Sequence, residues 1–237
     1  PGLDGNWPLA QGGGGNSAVI SAYMQDEIGV IPLPHGTTDV REVAATAINL
    51  NQYGAVQMEI REGWIEYRAD YAGDARDGPP RPGDLEVPQN YREDFARLAA
   101  DLDLYGKPAA EVIASIEGFF RDNFSYTLTM RNRYPRGRYL SGFLFDSREG
   151  HCEYFATSTV MLLREAGIPA RYAVGYAVNE YSPLEGRYIA RSSDAHSWAQ
   201  AWTGESWQVV DTTPPVWVAF DNGTGSMAAP FMDLFSW

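Results

Sequence analysis

The chain holds a single cysteine, Cys152, so no internal disulfide can form and a disulfide framework is excluded. Histidine is almost as scarce, with His35, His151 and His196 the whole supply. One Cys and three scattered His give no metal-ligand spacing, and neither a metal nor a cofactor is expected. Basic residues are in deficit, 18 Lys and Arg against 31 Asp and Glu, for a formal net charge of −13. That surface repels phosphate backbones and anionic lipid headgroups, so nucleic acid and membrane surfaces are poor candidate partners. No apolar run approaches the ~20 residues of a transmembrane helix, and no signal peptide is visible. The glycine run at 12–15 lacks the following lysine and helix of a phosphate loop. The chain opens at Pro1 without a methionine, which reads as a piece cut from a longer protein.

What is present is a core-forming composition. Hydrophobic residues make up 44% and aromatics 13% of 237 residues, which argues against disorder and supplies a sizeable interior. Residues 1–84 read as a β-rich N-terminal segment and linker. A short strand is expected over 18–24 and two to four antiparallel strands over 37–71. Trp64 and Glu66 fall on one side there, Ile65 and Tyr67 on the other. The Gly, Pro and charge of 72–84 disfavour regular structure. From Pro88 the period changes. Phe95, Leu98, Ala99 and Leu102 mark one helical face. Val112, Ile113, Ile116, Phe119 and Phe120 mark a second, with Pro108 in its first turn. A short strand is expected at 124–128. Arg131, Arg133, Arg136, Arg138 and Arg148 form a local basic cluster, read as a solvated loop in preference to a patch that guides an acidic substrate or partner.

Phe155, Thr159, Leu162, Leu163 and Ala166 predict an amphipathic helix over 152–166, stopped by Gly167 and Pro169. Strands are expected at 171–178, 187–191, 195–202 and 207–211, the last two as a hairpin about Gly204-Glu205. The reading is an α+β domain over 85–220, followed by a tail at 221–237.

Cys152 falls in the first turn of its helix. Unpaired N–H groups and the positive end of the macrodipole favour a thiolate there, lowering its pKa below the free value of ~8.5. The same N–H groups can receive an oxyanion when a carbonyl is attacked. A cysteine nucleophile needs a base, and the base an orienting group. If 195–202 and 207–211 pair about Gly204-Glu205, His196 and Asp211 come out near-opposite and within side-chain reach. His35 reads as a loop residue. His151 reads as structural or as a minor tuner, with its side chain turned away from the thiol.

These residues also carry a resemblance. Gly150-His151-Cys152-Glu153-Tyr154-Phe155-Ala156, Leu162 to Arg171, and Gly175-Tyr176 resemble the core of bacterial transglutaminase-like proteins. Asp194-Ala195-His196-Ser197-Trp198 and Val210-Asp211-Thr212-Thr213-Pro214 resemble that family's His and Asp blocks. Leu85 to Asn90 is similar to the lead-in of membrane-anchored members. The resemblance implies a papain-like transglutaminase core, with an antiparallel sheet and a helix carrying the nucleophile. It implies Cys152 as nucleophile, His196 as base and Asp211 as orienter, in acyl transfer from a Gln side-chain amide or a peptide bond of a protein or peptide substrate. It also implies an extracytoplasmic domain of a membrane-anchored bacterial parent. Tyr126 is a candidate oxyanion neighbour or a core strand residue. Three outcomes stay open: transfer to an amine, hydrolysis only, and a non-catalytic peptide-binding module.

Overall fold

The computed structural model describes residues 5–10, 15–129, 134–135 and 137–215. Most of the glycine run at 12–15, Arg131, Arg133, Arg136 and the tail at 221–237 lie outside the described residues. Arg138 and Arg148 are exposed, as a solvated loop requires. The chain forms two compact units, Pro1–Asp77 and Gly78–Trp237.

The first unit is all β among its described residues. Its strands are β1 (Trp7–Pro8), β2 (Asn16–Met24), β3 (Ile28–Val30), β4 (Thr37–Arg41), β5 (Ala47–Leu50), β6 (Val56–Glu59) and β7 (Gly63–Tyr71). They pair antiparallel in the orders β1-β4-β7-β2 and β3-β6-β5. Period-two alternation decides which aromatics are buried. Tyr67 is interior and donates its O–H to the Pro32 carbonyl at 2.6 Å. Trp64, on the other face of β7, is exposed and packs edge-on against Tyr23 at 5.7 Å. Val40, Val56, Met58 and Ile60 complete this unit's core with Tyr67.

The second unit is α+β. Its helices are α1 (Arg92–Asp101), α2 (Ala109–Asn123), α3 (Tyr139–Gly142) and α4 (Cys152–Glu165). Its strands are β8 (Ser125–Tyr126), β9 (Glu149–Gly150), β10 (Ala170–Tyr176), β11 (Glu180–Ser182), β12 (Arg187–Ile189), β13 (Ala195–Trp202) and β14 (Trp207–Val210). β10, β13 and β14 form one antiparallel sheet in that order.

Two local expectations change. The 72–84 stretch does not end as irregular chain: Pro82–Leu85 form a 3₁₀ turn that belongs to the second unit. Asp84 in this turn is fully buried. It accepts the Arg81 N–H at 2.9 Å and ion-pairs with Arg171 of β10 at 3.0 Å. The second change is α4, which is central rather than amphipathic. Every residue from Phe155 through Leu163 is buried, Thr157, Ser158 and Thr159 included. The cause is its place between two layers, with α1 and α2 packed on it and β10 and β13 packed on it as well, so no face is left for water. Ala199 and Ala201 of β13 are fully buried in the core and are small enough to let the helix lie close to the strand. Gly167 ends the helix in the left-handed region at φ 83°, as its position in the sequence requires.

Candidate active site

The chain entering α4 is clamped from both sides. β8 pairs in parallel with β9, Tyr126 opposite Gly150, and the Thr127 N–H donates to the Gly150 carbonyl at 2.9 Å. Gly150 is dictated by space: a Cβ there would stand 2.9 Å from the Phe143 ring. Phe143 itself is locked into an aromatic cluster with Phe120, Phe124 and Phe155, at centroid distances of 6.2, 4.9 and 5.1 Å. Cys152 is therefore delivered by a rigid turn to the first position of α4, where it is buried to 7% exposure.

His196 is the second residue of β13 and is also buried. Its neighbour Trp198 stacks beside the imidazole, centroids 6.0 Å apart and planes 26° apart. The indole has room because β10 carries Gly175 opposite His196. A Cβ at Gly175 would come within 2.8 Å of Trp198.

Asp211 follows β14 directly. Its Oδ2 meets His196 Nε2 at 2.7 Å, and its Oδ1 accepts the Thr213 N–H at 3.0 Å. The hairpin register differs from the expected one. β13 and β14 pair Ala199 with Val210 and Trp202 with Trp207, so the turn spans 203–206 and Asp211 is not directly opposite His196. It reaches the imidazole diagonally. The shift moves the partner by two residues, and side chains alternate with period two, so Asp211 stays on the His196 face. A hydrogen bond of 2.7 Å between Thr159 of α4 and Thr212 fixes the segment beyond the strand to the same helix that bears Cys152.

The electrostatics follow from this packing. Burial pushes the Cys152 thiol up. The neighbouring His151, His196 and Ser197 side chains outweigh it and bring the pKa from 9.0 down to about 6. Burial pulls His196 down, yet its hydrogen bond to Asp211 and the nearby Cys152 raise it to about 9. Asp211 is held below the usual carboxylate range against its burial, by His196 and the Thr213 N–H. The arrangement thus favours a thiolate–imidazolium pair near neutral pH, titrating as one unit.

His151, expected to be structural or a minor tuner, is among the groups that lower the Cys152 thiol. Ser197 was missed, because strict alternation puts it on the face opposite His196. Cys152 sits at the end of a helix rather than over the sheet, and both His196 and Ser197 act to lower its thiol. Glu153 and Tyr172 complete the surroundings. Burial raises both, and the Cys152 charge adds to the rise. Tyr126 lies in the core cluster. His35 faces Asp77 at 3.2 Å in the first unit. Among the described residues no group of three or more His, Cys, Asp or Glu could hold a metal ion, and no helix is long and apolar enough to cross a membrane.

A helix-borne thiol met by a strand-borne imidazole with a carboxylate behind it, on an α+β core, is the arrangement of the papain-like folds. Comparison with known proteins narrows the class. Residues 96–212 match the model of the transglutaminase-like superfamily. That stretch, just under half of the chain, is similar to the bacterial transglutaminase-like family. It is 34% identical over 131 residues to a protein-glutamine gamma-glutamyltransferase of Pseudomonas aeruginosa, an alignment covering 54% of this chain and 19% of that protein. It is 29% identical over 137 residues to the uncharacterized protein YebA of Bacillus subtilis, covering 54% of this chain and 18% of that one. The chain thus spans under a fifth of the length of these curated relatives. The crystal structure of the periplasmic domain of TgpA from P. aeruginosa, bound to ethylmercury, aligns with a TM-score of 0.58 at 25% identity. That alignment covers 86% of this chain and 77% of the other.

Proposed function

We propose that the second unit is a cysteine acyltransferase acting on glutamine side-chain amides or peptide bonds of protein or peptide substrates. The observation that carries the reading is the convergence of Cys152, His196 and Asp211 from three separate segments, with His196 Nε2 held 2.7 Å from Asp211. The printed activity of the P. aeruginosa relative, a protein-glutamine gamma-glutamyltransferase, supports the choice of amide donor.

In this reading the Cys152 thiolate attacks the amide carbonyl carbon and a C–S bond forms. The oxyanion is received by N–H groups of the first turn of α4. His196, positively charged in the resting pair, gives its proton to the departing nitrogen as the C–N bond breaks. A thioester on Cys152 and neutral His196 remain. His196 then takes a proton from the incoming amine or water, which attacks the thioester and returns the thiolate. Asp211 keeps the imidazole aimed and stabilises its charged form. Lys107 is the only lysine of the 237 residues, and it is ion-paired with Asp103 at 2.7 Å. An acceptor amine would therefore come from another molecule or from chain outside this stretch.

The test is incubation with a glutamine peptide, with and without a primary amine, following ammonia release and the cross-linked product by mass spectrometry. Both signals are expected, and both should vanish in Cys152→Ala. Ammonia without amine product would replace transfer by hydrolysis. Neither signal, with peptide still bound, would leave a binding module and overturn the enzyme reading.

The reading also places this unit outside the cytoplasm on a membrane-anchored parent, supported by the periplasmic origin of the TgpA domain it resembles. Protease accessibility of the tagged parent in spheroplasts tests that. Protection identical to a cytoplasmic marker would refute it.

A further inference from the structure

We propose that the open edge of β10 at residues 174–176 binds the extended backbone of a glutamine-bearing polypeptide as an added strand, and so lays the donor beside the start of α4; the inference deepens the proposed function and rests on that reading. β10 is an edge strand of its sheet and pairs with β13 without a break, from Ala170 opposite Ala201 to Tyr176 opposite Ala195. Hydrogen bonds at both ends of this ladder fix which backbone groups face outward. The Trp202 N–H donates to the Pro169 carbonyl and the Ala177 N–H to the Asp194 carbonyl, each at 2.9 Å. Odd-numbered residues of β10 therefore exchange bonds with β13, and even-numbered ones turn their N–H and C=O away from it. The outward Ala170 carbonyl is taken by Arg164 Nε and Nη2, at 3.0 and 2.9 Å.

The two ends of this edge differ. At the start of the strand Arg164 fills Ala170, and the turn at Pro82–Leu85 packs on β10 through the Asp84–Arg171 pair. At the other end, among the described residues, no hydrogen bond reaches the outward N–H or C=O of Val174 or Tyr176. These two residues are 68% and 47% exposed. No lysine, proline or bulge guards the strand, the usual devices that stop an edge from pairing.

The open end lies beside the reacting groups. Directly paired residues share a face, Ala170 with Ala201 and Val174 with Ser197. Ala199 and Ala201 are buried on the face that α4 covers, so Val174 and Tyr176 stand on that face too. Residues 166–169 turn the chain from the end of α4 into β10, and the strand runs back along the helix. The 14 residues of α4 span about 21 Å. Val174 is about 13 Å and Tyr176 about 20 Å beyond Ala170, level with the first turns of α4 and with Cys152. Gly175 between them is paired with His196.

An edge open over so few residues is too short to hold two copies of the chain together, since a stable interface buries about 1,600 Å². It suits one extended segment, bound through main-chain hydrogen bonds. A glutamine opposite Val174 puts its side chain on the α4 face. Residues 174–176 carry no charge, so recognition falls on the backbone and on apolar flanking side chains.

The experiment is amide hydrogen exchange by NMR on the 237-residue protein as Cys152→Ala, so that donor is not consumed. The probe is the blocked peptide Ala-Ala-Leu-Gln-Leu-Ala-Ala. With peptide at ten times its Kd, exchange at Val174 and Tyr176 should slow about tenfold, and Gly175, already bonded to β13, should not change. Two copies of the peptide, N-methylated either at the glutamine or at the residue after it, test the pairing. Only alternate nitrogens of a strand face one neighbour, so one copy should lose about tenfold more affinity than the other. Bound peptide with both amides unmoved, equal loss in the two copies, or no binding at millimolar peptide would overturn the inference. Slowing that follows protein concentration instead of peptide would assign the edge to a second copy and overturn it as well. Ammonia release from this peptide by the wild-type protein without slowed amides would sink the edge site and leave the proposed function. Slowed amides without ammonia release would do the reverse.

Discussion

Asp84 and Asp211 each hold a cationic or cation-forming side chain on the same sheet, Arg171 on β10 and His196 on β13, and the two junctions are built to opposite ends. Asp84 is fully buried and saturated. Its oxygens take the Arg81 N–H and both Nε and Nη2 of Arg171, at 2.9 to 3.3 Å. The Arg171 guanidinium lies over the Trp207 ring, 3.8 Å from its centroid, and the Trp207 indole N–H donates to the Gly78 carbonyl at 2.8 Å. Asp211 is a third exposed, and the imidazole it holds turns its chemistry toward a thiol. A buried charge with every hydrogen bond filled ties the 78–85 segment to the sheet. A partly buried one, passed through an imidazole to sulfur, separates two pKa values around neutrality.

The largest expected effect falls on the reactive junction. Cys152→Ala should lower amide turnover by about four to six orders of magnitude, to the background of the uncatalysed reaction, while the fold persists. Ammonia release measures it, and residual turnover within tenfold of wild type would remove Cys152 from the chemistry. The wild-type rate should rise through about pH 6, where Cys152 ionises, and fall through about pH 9, where His196 loses the proton it must donate. A profile with a single limb would dissolve the pair.

Next in size is the saturated junction. Asp84→Ala leaves the Arg171 guanidinium, 11% exposed, without its carboxylate, and should cost about 3–5 kcal/mol of stability. Denaturant titration reads the loss. The labelling midpoint of Cys152 in the folded fraction should not move. A shifted midpoint would mean that the two junctions are not separate after all. Asp211→Ala should do the reverse: amide turnover falls by on the order of a hundredfold, because the base is misaimed, while stability changes little. Equal loss in both assays would break the contrast between the two aspartates.

The smallest effect tests how the Asp211 segment is anchored. Thr212→Val removes the Thr159–Thr212 hydrogen bond and leaves the Thr159 hydroxyl buried without it, for a cost of about 1–3 kcal/mol. If the anchor positions Asp211, a modest fall in turnover should accompany the lost stability. Unchanged turnover would confine Thr212 to packing.

Much of the fold was legible because it rests on local rules. Tyr67 and Trp64 part to opposite faces of β7 by alternation alone. The helical periods of Phe95 to Ala99 and Val112 to Phe120 mark helices that exist with those buried faces. Other features were not legible because they rest on neighbours distant in the chain. The polar residues of α4 at 157–159 are buried because helices and sheet close on it from both sides, and no period within one helix reports that. The 3₁₀ turn at Pro82–Leu85 exists in a Gly- and Pro-rich stretch because Arg171, almost ninety residues later, gives Asp84 its partner.

The candidate site divides along the same line. By itself the sequence determined that one thiol opens a helix, and that a His and an Asp flank a hairpin turn on residues of matching parity. Parity survives an error in register, since a shift of two returns a side chain to the same face. Only the tertiary structure decided the register itself and the diagonal reach of Asp211. Those depend on where the end of α4 lies against the start of β13. That placement is set by the close packing of Phe143 on Gly150 and of Trp198 on Gly175, contacts made between segments that no local pattern connects.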